Sequence, residues 1–142
     1  TFDEVGSSGQ YIMSEGLSEF ETKIASYCET KYALGLANGS DALFLALKAM
    51  GIGEGDEVIT CPNSFIASAN CIRMINAKPI LCDVLPEDGS IDMKSVTDSA
   101  DAVIPVHIYG NPCDFDSVKY FAEEVISRII FFKLLCITIV AL

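Results

Sequence analysis

From Leu17 onward the chain alternates between segments with a helical spacing of apolar residues and short, continuously apolar runs. In LSEFETKIASYC, Leu17, Phe20, Ile24 and Tyr27 recur on one helical face, and Ser18 with Glu21 has the spacing of a capping box. YALGLA (32–37) has the pattern of a strand, and DALFLALKAM (41–50) that of a helix stopped by Gly51. DEVIT (56–60) predicts a strand, SFIASANCIRMIN (64–76) a helix and KPILCD (78–83) a strand. LPEDGS is a turn, and IDMKSVTDS carries a weak helical pattern. AVIPVHI (102–108) predicts a buried strand and DFDSVKYFAEE (114–124) a helix. Strands separated by helices predict βαβ units, hence a three-layer α/β/α domain around a mostly parallel sheet.

The composition supports a packed domain. The chain has 142 residues, 51% hydrophobic and 20% charged, which argues against disorder. Its 20 acidic and 9 basic residues give a formal charge of -11, a field that repels nucleic acid. The six cysteines show no C-x-x-C spacing and His107 is the only histidine, so no metal site is expected. Several cysteines lie in apolar runs, as in ILCDV, which predicts free, buried thiols and a reducing, cytoplasmic setting. The opening TFDEVGSSGQ is polar and acidic, unlike a signal peptide. The final segment, VISRIIFFKLLCITIVAL, carries Arg128 and Lys133, so a buried strand or helix end is favoured over a membrane span.

Two turns from strand to helix could carry chemistry. In Asn38-Gly39-Ser40, Gly39 permits close approach of the backbone, and Ser40 suits an N-cap and offers a hydroxyl. A phosphate could use the first N–H groups of the helix, although the carboxylate of Asp41 would have to turn away. Local sequence favours an ordinary capped turn over that anion site, and a glycan acceptor has little support. In CPNSFIASAN, Phe65 falls in the first turn of the next helix, as a core residue or as an aromatic stacking on a flat heterocycle. GIGEG (51–55) follows a helix and precedes a strand, the wrong order for a dinucleotide loop, so it predicts a helix stop. His107 is expected to be structural.

Together, SSGQYIMSEGLSEFETKIASYCETKYALGLANGSDALFLALKAMGIGEGDEVIT, CPNSFIASANCIRMINAKPILCDV, IDMKSV and AVIPVHIYGNPCDFDSV resemble, in order, the DegT/DnrJ/StrS sugar aminotransferases, from about Phe2 to Glu124. The resemblance implies the fold-type-I aminotransferase large domain, present in part, with pyridoxal 5'-phosphate as cofactor. Gly39, Ser40 and Asp41 match the turn that binds its phosphate, and Phe65 matches the aromatic that stacks on its ring. The implied partners are a nucleotide-linked keto sugar and an amino donor such as glutamate, and the implied assembly is a homodimer. Residues 1–124 are then a partial cofactor-binding domain and residues 125–142 a divergent tail. Where the family has an E-D-A-A-Q type motif, whose aspartate meets the pyridine nitrogen, the tail holds no acidic residue. None of the seven lysines lies at a matching motif position, so no catalytic residue is expected in this chain. A catalytically inactive fragment is the expectation, with a non-catalytic module pairing with a full-length relative as the alternative.

Overall fold

The computed structural model describes residues 2–96 and 100–125. By backbone proximity the chain divides into two compact units, Thr1–Ala37 and the remainder from Asn38. The first unit contains α1 (Phe2–Ser8), which buries no side chain, and α2 (Glu15–Tyr27). Leu17, Phe20 and Ile24 form a half-buried stripe on α2 as their spacing predicts, whereas Tyr27 is exposed. The expected capping box is absent. Ser14 is the N-cap residue, Ser18 lies inside the helix, and Glu21 instead accepts the backbone N–H of Gly35 at 2.7 Å. The segment predicted as a strand at 32–37 is extended but joins no ladder among the described residues, with Tyr32 and Leu34 exposed. A Cβ at Gly35 would lie 2.6 Å from Leu17 Cδ1, so a side chain there would have to push the Leu17 methyl aside.

The second unit starts with α3 (Gly39–Ala49), followed by β1 (Glu57–Thr60), α4 (Ala67–Met74) and β2 (Lys78–Leu81). A 3-10 turn (Met93–Ser95), β3 (Ala102–Ile104), a second 3-10 turn (Ile108–Gly110) and α5 (Phe115–Val125) complete it. The three strands pair in parallel in the order β2-β1-β3. Alternation along β1 and β3 sends side chains to opposite faces. Val58, Ala102 and Ile104 pack with Leu47 of α3 and Cys71 and Ile72 of α4. Ile59 and Val103 pack with Met93 and with Val118 and Phe121 of α5. Helices therefore cover both faces of a parallel sheet, the three-layer α/β/α arrangement expected.

Element ends follow from local chemistry. Gly51 adopts φ +76° just beyond α3, its N–H bonds Lys48 O, and the Ile52 N–H bonds Leu47 O. This is a Schellman stop, sealed by burial of Leu47 and Ile52 together. β3 ends three residues in, well short of 108, because Pro105 has no N–H to give a ladder. IDMKSVTDS forms only the Met93–Ser95 turn among the described residues, with Asp92 accepting the Lys94 N–H. The predicted tail, residues 125–142, lies outside the described residues apart from Val125.

Candidate cofactor site

In a helix-turn-strand unit the start of the helix and the end of the strand lie at the same edge of the sheet. The start of α3 and the carboxyl end of β1 thus share an edge with the turn that follows β1. In open parallel sheets that edge is where ligands bind.

At the start of α3 the cap is Asn38 and not Ser40, as the sequence had suggested. Asn38 Oδ1 accepts the Asp41 N–H at 2.9 Å, and Asn38 Nδ2 donates to Asp41 Oδ2 at 2.9 Å. This reciprocal pair has two effects. It folds the Asp41 carboxylate back onto the cap, and it uses the Asp41 N–H. The N–H groups of Gly39 and Ser40 have no hydrogen-bond partner among the described residues, and the exposed Ser40 hydroxyl has none either. Two backbone donors and a hydroxyl at the positive end of an eleven-residue helix suit a phosphate monoester. Both polar ends of the Asn38 amide are occupied, as befits a cap and not a glycan acceptor. The Asn-x-x-Asp spacing was the signal for this cap.

Beyond β1, Pro62 and Asn63 turn the chain, and α4 begins at Ala67, later than predicted. Phe65 therefore precedes the helix, with its carbonyl accepting the Ser68 N–H at 3.0 Å. Its side chain is 77% exposed, which excludes the core reading and leaves an aromatic face free at the ligand edge. Removing such a ring from water against a planar ligand is favourable.

Two further segments surround this turn, and neither was singled out from sequence. Asn63 Nδ2 donates to Gly89 O at 2.9 Å. Asp88 accepts the Ser90 N–H at 2.8 Å, and this bond, with the side chains of Ser90 and Asn111, holds its carboxyl below the ordinary value. His107 lies beyond β3 and not on it, and its Nδ1 accepts the Cys113 N–H at 3.2 Å. That bond joins the segment after β3 to the loop before α5. The five described cysteines are free, and burial pushes the thiols of Cys71 and Cys82 up to about 11. Among the described residues no cluster of His, Cys, Asp and Glu could hold a metal ion.

The DegT/DnrJ/EryC1/StrS aminotransferase family model matches residues 1–130. The chain belongs to that family. It is 40% identical over 121 residues to the dTDP-3-amino-3,6-dideoxy-alpha-D-galactopyranose transaminase of Aneurinibacillus thermoaerophilus, covering 82% of this chain and 33% of the relative. Among solved structures, an aminotransferase from Psychrobacter cryohalolentis superposes with TM-score 0.80 at 38% identity, covering 85% of this chain and 32% of that one. NtdA from Bacillus subtilis, solved with bound cofactor PMP, superposes with TM-score 0.79 at 30% identity, over 85% of this chain and 29% of that one. The family chain thus spans about a third of the length of the relatives it matches, and its fold is that of a fold-type-I aminotransferase large domain in part.

Proposed function

We propose that this chain is the phosphate- and ring-holding part of a pyridoxal-phosphate-dependent aminotransferase acting on a nucleotide-linked keto sugar. The observation that carries the reading is the start of α3, where the N–H groups of Gly39 and Ser40 have no partner among the described residues while Asn38 restrains the Asp41 carboxylate. The N–H groups of Gly39 and Ser40, with the Ser40 hydroxyl, would hold the phosphate, and Phe65 would cover one face of the pyridine ring. When bound, the cofactor supplies an electron sink for moving an amino group from a donor such as glutamate to a keto carbon. This chain's residues bind and orient; none of those described at the site is placed to hold or move the substrate proton. The names of the relatives support a nucleotide-linked sugar as acceptor, and the family resemblance supports a homodimer in the cytoplasm. Among the described residues no helix is long and apolar enough to cross a membrane.

The test is titration of the 142-residue chain with pyridoxal 5'-phosphate, followed by a shift of the cofactor's absorbance band. Binding that falls at least tenfold in both Ser40→Ala and Phe65→Ala is expected. Binding unaffected by either change would overturn the site.

A further inference from the structure

We infer that Asn63 is a positioning residue that sets the orientation of Phe65 toward the cofactor, an inference that rests on the proposed cofactor reading. Asn63 lies two residues before Phe65 in a turn belonging to neither β1 nor α4. The local ties of that turn are the Ser64 hydroxyl, which donates to Cys61 O at 3.4 Å, and the Phe65 carbonyl, which accepts the Ser68 N–H, while the Phe65 ring itself packs little, being 77% exposed. The side chain of Asn63 supplies a long-range tie, its Nδ2 donating to Gly89 O across 26 residues at 2.9 Å.

The acceptor is itself held. Gly89 adopts φ +71°, and a Cβ there would meet Asn63 Nδ2 at 3.2 Å and Ile108 Cγ2 at 3.5 Å. A glycine therefore allows the 85–90 turn to fit between the Phe65 turn and the segment after β3. The Gly89 N–H bonds Leu85 O at 2.8 Å and the Leu85 N–H bonds Ser90 O at 2.8 Å, closing the turn on itself. Asp88 secures it further through the Ser90 N–H. A ring that stacks gains more when its plane is set before the ligand arrives, since ordering it on binding costs conformational entropy.

Asn63 is exposed, so its replacement leaves the core intact. Asn63→Ala and Asn63→Asp both remove the donor, and the second keeps the shape. The probes are pyridoxamine 5'-phosphate, which lacks the aldehyde that would react with surface lysines, and inorganic phosphate, each titrated calorimetrically. Both variants are expected to bind pyridoxamine 5'-phosphate five- to tenfold more weakly and inorganic phosphate within twofold of the parent. Asn63→Gln, which retains a donor, is expected to recover part of the loss. Parent-like affinity in both variants, or equal losses for the two probes, would overturn the inference.

Amide exchange at Ser68 and Ala69, whose N–H groups bond the carbonyls of Phe65 and Ile66, provides a second readout. It is expected to speed up several-fold in both variants, and unchanged rates would overturn the tie. If the parent binds neither probe, the cofactor reading fails, and exchange alone decides whether Asn63 orders this turn.

Discussion

Asn38 and Ser40 are two residues apart, and the structure separates their roles. Asn38 satisfies one donor of the first turn and restrains Asp41, whereas the Ser40 hydroxyl bonds nothing among the described residues. Loss of a side-chain N-cap costs about 1 kcal/mol, and an exposed hydroxyl without a partner contributes within about 0.5 kcal/mol. Asn38→Ala is therefore expected to lower the urea midpoint clearly, and Ser40→Ala to leave it nearly unchanged while weakening phosphate binding. Equal midpoints for the two variants would contradict this assignment. The Gly-Ser start made the turn before α3 legible as a candidate anion site, although local sequence favoured a plain capped turn and assigned the cap to Ser40. The reason is physical: Asn and Ser are nearly equivalent caps, and only the backbone start of the helix decides between them. Phe65 could not be placed from its neighbours, because an aromatic at a turn serves a core or a ligand equally well. The tie from Asn63 depends on a contact 26 residues away, so no local pattern announces it.

Helices announced themselves better than strands. The α3 stop was readable because Gly51, Leu47 and Ile52 state the motif locally, while the strand pattern of 32–37 states only that the segment is extended. Pairing is a tertiary property, and there the Gly35 N–H goes to the Glu21 carboxylate. Leu47 is 2% exposed on the face where α3 meets the sheet. Leu47→Ala is expected to cost about 2–5 kcal/mol, seen as a lowered urea midpoint with an unchanged slope. The cysteine core adds a pH dependence. Burial raises the Cys71 and Cys82 thiols from 9.0 to about 11, so the folded chain holds protons that the unfolded chain releases. Below pH 9 both states are protonated and these groups contribute nothing; between about 9 and 11 stability falls as the unfolded thiols ionise. Denaturation midpoints at pH 8 and 10.5 check this, and the loss is expected to shrink in Cys71→Ala relative to its own pH 8 value.

At the scale of the whole molecule, the proposed function separates binding from chemistry. Two described lysines of the second unit, Lys48 and Lys78, lie away from the start of α3. Lys48 is in the last turn of α3, nine residues from Gly39 and so about 14 Å along the helix at 1.5 Å per residue. Lys78 opens β2 at the opposite edge of the sheet and pairs with Glu57 at 2.6 Å. Free pyridoxal phosphate moves amino groups slowly without any protein, so a bare null result would be ambiguous and the comparison must be with that background. The 142-residue chain, given pyridoxal 5'-phosphate, glutamate and a nucleotide-linked keto sugar, is expected to form amino sugar no faster than the cofactor alone. If the chain sequesters the cofactor through Gly39, Ser40 and Phe65, the rate falls below that background as protein is added, and Phe65→Ala restores it. A rate ten times the background that depends on the chain would show that one of its own lysines reaches the cofactor, and would overturn the separation of binding from chemistry.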